Sequence, residues 1–424
     1  MSVEGWKDSS LISLLTILKS GGTPNTSRSD FYNGDIPFVA IEDMSASRKY
    51  LYSTVKSLTK EGLKNSNAWL VPENSLLYSI YATLGLVRIN KIPVATNQAI
   101  LAMIVNDEVV DQDYLYYWLE YIRDSIVNLS AQTTQSNLSA TTVKPFLVQH
   151  PKDKEEQTQI ATILSTIDRA IEQTETLIAK QQRIKTGLMQ DLLTKGIDEN
   201  GNIRSEETHQ FKDSVLGRIP VEWEVKPLGE KARVRSGSTP LRSNEKFWIG
   251  GTVSWVKTSE VCFSKITETE EKITEQALKL TSLNLEPIGS VLVAMYGQGG
   301  TRGRCAILGI EATTNQACAA ILGQQGEINQ DYLFYYLSSK YNDLRTIGHG
   351  SNQTNLNGNL LRLFLIKVPS YKEQVKIADS FNKLKQMQDQ LFSELSKLNS
   401  IKTGLMQDLL TGKVRVTELL KETD

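Results

Sequence analysis

Long apolar runs are missing from this 424-residue chain. None reaches the roughly eighteen residues that a membrane-spanning helix needs. The opening stretch MSVEGWKDSS lacks the basic and apolar regions of a secretory signal. Cysteine is scarce: Cys262, Cys305 and Cys318 are the only three, and the first half has none, which excludes a disulfide framework and suits a reducing compartment. Histidine is as scarce, and His150, His209 and His349 form no His-x-x-x-His pair; with no Cys-x-x-Cys either, a metal site is not expected. An excess of one charge is also absent. Lys and Arg number 47 against 48 Asp and Glu, a net charge of −1. A chain that gripped nucleic acid alone through many phosphates would be more basic. Either its cations cluster on one face or a partner shares the grip. The rest is ordinary for a globular protein, with 40% hydrophobic and 22% charged residues. A cytoplasmic protein with no membrane association is expected.

Signatures of hard chemistry are lacking too. The glycine-rich stretch GQGGTRG at 297–303 has no Gly-Lys-Ser/Thr ending and opens no helical pattern, so it is not a phosphate-cradling loop. Its counterpart ATLGLVR at 82–88 keeps one glycine. Two readings of it stay open: a purely structural turn, or a turn carrying Arg302 and Arg304 to a phosphate backbone. No Asn/Asp-Pro-Pro-Tyr/Phe run of an amino-methyltransferase occurs, and no nuclease-like carboxylate–lysine set stands out. No catalytic residue is assigned, and the chain is read as non-enzymatic.

What is present is a repeat. IKTGLMQDLLT occurs at 184–194 and, unchanged, at 401–411. SGGTP at 20–24 matches SGSTP at 236–240, and FYNG at 31–34 matches FWIG at 247–250. NQA recurs at 97–99 and 315–317, DYL at 113–115 and 331–333, and QSNL at 135–138 returns as QTNL at 353–356. The chain is a tandem duplication. Each copy begins with a globular part, 1–150 and 222–368, that mixes short strands with helix starts, hence a mixed α/β (α+β) domain. Residues 291–296 and 317–322 read as strands, and 113–119 and 331–337 as helix starts whose Asp can cap.

Each copy ends in a long helix, within 151–196 and 369–424. Ile160, Leu164, Ile167, Ile171, Ile178, Leu188 and Leu192 repeat at three- and four-residue steps, as do Ile377, Phe381, Leu384, Leu391, Leu395, Leu398, Leu405 and Leu409. That spacing is a coiled-coil seam, and a long amphipathic helix packed on its own domain is the alternative. The simplest pairing is of the two helices with each other, antiparallel if the copies are related by a pseudo-two-fold axis. Ile171 corresponds to Gln388 and Gln181 to Leu398, so one polar seam position per helix would fix register. Leu188, Met189, Leu192, Leu193 and their copies Leu405, Met406, Leu409, Leu410 widen the apolar stripe beyond one seam. They are the expected dock for a further subunit. Between the copies, 197–221 is polar and bears Gly and Asn, and reads as an exposed linker.

The order Ser-Gly-x-Thr-Pro, aromatic-x-x-Gly, a glycine-bearing strand end, Asn-Gln-Ala, then Glu-Gln-x-x-Ile-Ala opening a long helix resembles the DNA-specificity subunit of type I restriction–modification enzymes. Glu156-Gln157 with Ile160-Ala161, and Glu373-Gln374 with Ile377-Ala378, carry the last element. FKDSVLGRIPVEWEV at 211–225 looks like that family's lead-in to a recognition domain. The first copy starts abruptly at Trp6, the apparent counterpart of Trp223, and its edge is expected to pack less well. The resemblance implies two target-recognition domains, each reading one half of a split, asymmetric site in double-stranded DNA. It also implies helices that space the domains and dock two methyltransferase (modification) subunits, with restriction/translocase subunits joining them. S-adenosylmethionine, ATP and Mg are then expected on those partners, and no cofactor on this chain. About 35–40 helical residues at about 1.5 Å each span about 50–60 Å, more than the roughly 35 Å between successive major-groove segments on one DNA face.

Residues of the motifs that the copies share, such as Gly22 or Thr23, Gly34, Asn97 and Gln98, are read mainly as scaffold, because the halves should read different sequences. Polar residues that differ within the shared frame are the base-reading candidates. In the first domain these are Glu42, Asp43, Arg48, Lys49, Thr83, Arg88 and Thr133. In the second they are Lys257, Thr258, Glu260, Gln298, Arg302, Arg304 and Asn352. Arg and Lys pair with guanine, Gln and Asn with adenine. Three other readings stay open at this point: a coiled-coil scaffold protein, a self-sufficient methyltransferase, and a stand-alone repressor.

Overall fold

The computed structural model describes residues 3–132, 137–297, 299–347 and 356–417. Contacts divide the chain into two compact units, 1–176 with 393–424, and 177–392. The linear segmentation therefore gives way to one in which each long helix is divided between the units. The helices are Lys154–Leu192 and Tyr371–Leu410. None of the described helices is long and apolar enough to cross a membrane.

In the first unit a five-stranded sheet runs in the order Leu15–Ser20, Ile100–Val105, Leu76–Ser79, Val87–Asn90, Tyr50–Leu51. The helix Gln112–Gln132 packs on it, burying Tyr114, Leu115, Tyr117 and Leu119 completely. Its first turn is capped by Asp111, which accepts from the Tyr114 amide at 2.9 Å, two residues ahead of the expected Asp113. Ile160, Ala161 and Leu164 of the first long helix close the same core, together with Leu409 and Leu410 of the second. Lys402 pairs with Asp168 at 2.6 Å, and Arg415 with Glu156. Numbers rise along one helix as they fall along the other, so the helices are antiparallel here. Trp6–Ser10 pairs with Leu147–Pro151, and Trp6 is only 5% exposed. The N-terminal edge is thus packed, contrary to the expectation from its short lead-in.

The second unit repeats this plan. Its sheet runs Ala232–Ser236, Cys318–Gly323, Val291–Ala294, Cys305–Leu308, Lys265–Ile266, and the helix Gln330–Ser339 packs against it under an Asn329 cap. Here too the helices are antiparallel. Gln388 donates to Gln182 at 2.9 Å across the seam, so a polar seam position is paired rather than stranded, and Leu192 and Leu193 share a core with Ile377, Ala378 and Phe381.

Two further expectations change. The segment after the first long helix is built into the fold rather than an exposed linker. Ile197 and Ile219 are buried, and Arg204 forms a buried ion pair with Glu373, which also accepts from the Ile197 amide (2.9 Å) and Trp223 Nε1 (3.1 Å). Gly196 sits at φ +71°, and an added Cβ would lie 2.1 Å from the Glu373 carboxylate, so only glycine fits. The second correction concerns the wide apolar stripe. Leu192, Leu193, Leu409 and Leu410 are 1–4% exposed inside the cores of their own units, and Leu188, Met189, Leu405 and Met406 pack half-buried against those cores. The chain itself covers the stripe, which closes the core of each unit.

Candidate DNA interface

Sheet register collects three turns at one end of each five-stranded sheet. In the first unit Ser20 lies opposite Leu101, and Ile100 opposite Ser79. The turns at 21–24, 80–86 and 97–99 therefore meet at a common edge. In the second unit Ser236 lies opposite Ala319, and Ala294 opposite Cys318, which gathers 237–240, 295–304 and 315–317.

The same bonds build both clusters. The Gly22 amide donates to the Thr96 carbonyl at 3.0 Å and the Ser238 amide to that of Thr314 at 2.9 Å. An added Cβ at Gly21 or Gly237 would sit about 2 Å from those same threonine carbonyls (1.8 and 2.1 Å), so the backbone approach itself demands glycine. Asn97 and Asn315 each fold back to accept from the Ala99 and Ala317 amides (2.9 and 3.1 Å). Thr23 donates to the Gln98 carboxamide oxygen at 2.6 Å, and Thr239 donates likewise to Gln316.

The central turn differs. It is closed by Gly85 donating to Ser79, and by Gly303 donating to Ala294. Between those points lie residues 80–84 in the first unit but 295–302 in the second, three residues more. A helix braces each version. Arg123 donates to the Leu84 carbonyl at 3.2 Å; Tyr341 donates to that of Gly300 at 2.7 Å, and Arg345 to that of Gly299 at 3.3 Å. Beside the longer turn, Phe263 holds φ +54°, unusual for a bulky residue, with its half-exposed ring edge-on to Tyr341 at 5.4 Å.

The base-reading candidates fall into three groups. Thr133, Gln298 and Asn352 lie outside the described residues. Five are turned inward. Asp43 accepts from the Ala40 and Val55 amides, and Glu260 from those of Lys257 and Glu270. Arg88 holds the Met44 and Ser47 carbonyls at 2.9 Å; Arg302 is 9% exposed and donates to the Ile347 carbonyl. The Lys49 ammonium faces the Tyr116 and Tyr117 rings and pairs with Asp113 at 3.0 Å; burial pushes its pKa down, against the pull of Asp113. Four of these are held by backbone groups and Lys49 by Asp113 and two rings, so none is presented outward to a base edge, contrary to the expectation for these five. The remaining six are nearer the surface: Glu42 is exposed, Arg48 pairs with Glu175 of the long helix, Lys257 with Glu270 and Glu271, Thr258 with Asn315, and Arg304 with the Gly300 carbonyl, while Thr83 is half-buried in the central turn. Burial pushes the Cys305 and Cys318 thiols up to about 12, so neither is a thiolate near neutral pH.

Sequence reasoning passed over Tyr81, Tyr296, Phe263 and Arg345. The first two lie two residues past the ends of equivalent strands, a signal that the repeat offered but that only exposure (40% and 36%) makes meaningful.

The type I restriction modification DNA specificity domain matches twice, over residues 3–181 and 220–402. The MjaIX type I restriction enzyme specificity subunit of Methanocaldococcus jannaschii is 27% identical over 415 residues, 94% of this chain and 91% of its own. The EcoR124I/EcoR124II specificity subunit of Escherichia coli is 25% identical over about half of each chain (51% and 52%). Among solved structures, the S subunit of a type I restriction–modification system from M. genitalium aligns over 96% of this chain and 99% of its own, with a TM-score of 0.59 at 17% identity. A chain solved in a study of complex assembly of the type I system aligns over 98% and 100% with a TM-score of 0.60 at 14% identity. Two similar recognition domains, paired long helices and a family match over most of the chain converge: this protein belongs to the DNA-specificity subunits of type I restriction–modification systems, the non-catalytic subunits that recognise the DNA target.

Proposed function

We propose that each domain reads one half of a split, asymmetric DNA site, and that the helix pair sets the unread spacer and docks two methyltransferase subunits. The observation that carries the first part is the shared turn cluster with a central turn of different length in each unit. An identical frame holding different polar residues suits two different half-sites. The docking rests on the identical eleven-residue segment. Ile184 and Ile401 are 40% and 48% exposed, and an added Cβ at Gly187 or Gly404 would meet nothing within 4 Å. Glycine inside an exposed helix costs about 1 kcal/mol relative to alanine, and among the described residues no group requires it. A partner backbone approaching closely in both units accounts for it. In this reading the partners carry S-adenosylmethionine, and restriction/translocase subunits bring ATP and Mg; this chain binds none of them and works in the cytoplasm, where its DNA is.

Removing facing heptads, 177–183 and 387–393, tests the spacer. Seven residues correspond to about 10 Å, or about three base pairs. Sequencing of methylated sites should show the same half-sites with a spacer shortened by about three base pairs, or loss of modification; an unchanged spacer contradicts the role of the helices.

A further inference from the structure

The residues that the two domains share and yet expose need an explanation other than folding. Gly21, Gly34 and Asn97 are shared because the backbone requires them. Gln98 and Gln316 are exposed, as are Tyr81 and Tyr296, and no core packing fixes their identity. Base contacts do not fix it either, since two domains that read different half-sites have no reason to keep the same base-reading side chains. What both half-sites have in common is the sugar–phosphate backbone.

We propose that the pairs Thr23–Gln98 and Thr239–Gln316, each with the neighbouring exposed tyrosine (Tyr81 or Tyr296), form an equivalent DNA phosphodiester-binding site in each domain. The inference rests on the reading that the domains engage separate half-sites. A phosphodiester offers only acceptors, so its site must present donors. The threonine hydroxyl occupies the glutamine Oε1, which leaves the Nε2 amino group as the outward donor. Neither tyrosine hydroxyl bonds to another described residue, so each is a second free donor. The strand entering the first turn adds a cation one residue before its end, Lys19 in one unit and Arg235 in the other. Donors and positive charge on the same turn cluster, repeated in two units with different central turns, match the part of the ligand that does not vary.

The test uses the full chain assembled with its modification subunit, and two duplexes: one with the site mapped by methylation, one scrambled. Gln98→Glu with Gln316→Glu keeps an acceptor for each threonine but replaces the outward amino group with a carboxylate oxygen that repels phosphate. It should weaken binding to both duplexes by the same factor, about tenfold or more, with unchanged thermal unfolding. Tyr81→Phe with Tyr296→Phe, which removes only exposed hydroxyls and does not endanger the fold, should weaken both about threefold. Unchanged affinity in the tyrosine pair and in a folded glutamate pair, or a loss confined to the mapped site, overturns the proposal. A wild-type complex that binds neither duplex would instead overturn the half-site reading on which it rests.

Discussion

Lys367 is the most unusual single charge in the second unit. It lies on the strand Leu365–Val368, 4% exposed, and burial together with the nearby Lys340 cation pushes its pKa down to about 8. The equivalent position in the first unit is Gln149, whose carbonyl accepts from Tyr114 as that of Lys367 accepts from Tyr332. Between pH 8 and the ordinary lysine value near 10.4 the unfolded chain holds the proton that the folded chain releases, so stability rises with pH across that window. At neutral pH the folded state bears the full cost of a buried ammonium. Lys367→Gln should therefore raise stability at pH 7 by about 1–3 kcal/mol and flatten the increase between pH 8 and 10. Urea unfolding at a series of pH values measures both; an equally steep rise in the variant rules out Lys367 as its source. At this scale the sequence was a partial guide. Motif identity separated Gly34 and Asn97, which the backbone needs, from residues that vary, while the reading passed over Gly21. It could not separate Gln98, shared but exposed, from true scaffold, nor show that Arg88 and Arg302 turn inward, because direction depends on which carbonyls the tertiary fold leaves open.

The long helices were the most legible elements. Three- and four-residue apolar spacing placed one long helix within 151–196 and another within 369–424, and the helices run Lys154–Leu192 and Tyr371–Leu410. Spacing says that a stripe is covered, not by what, and so the leucines at 192–193 and 409–410 were assigned to a partner when the domain cores enclose them. The short strands were harder to delimit, since runs such as Val291–Ala294 are apolar on both faces and lack alternation. The exposed glycines of the repeated segment give this scale its own prediction. Gly404→Leu places a better helix former in open space and should raise the unfolding midpoint in urea, corresponding to about 0.5–1 kcal/mol. If a methyltransferase subunit packs there, the same change should weaken assembly with it about tenfold or more, read by sedimentation of the mixed subunits. Assembly at wild-type affinity contradicts docking on that face.

For the whole molecule, the proposed function accounts for the near-neutral charge: other subunits of the complex would share the DNA grip and supply the chemistry. Duplication makes this economical, because one frame of turns, built twice, can be varied independently in each domain while the long helices stay unchanged. The segment at 197–221, polar enough to pass for a linker, serves that frame. Arg204 reaches Glu373 in the second unit as Arg415 reaches Glu156 in the first, so in each unit the segment that follows one long helix is clamped to the start of the other. Local composition could not reveal this, because the ion pairs join residues 169 and 259 positions apart.

The division of labour between the domains is tested most directly by exchanging one of them. Residues 222–368 would be replaced by the corresponding domain of another specificity subunit, and methylated sites sequenced across a genome that also expresses the modification subunit. The account predicts that one half-site changes while the other half-site and the spacer stay as they were. A change in both halves, or in neither, would contradict it.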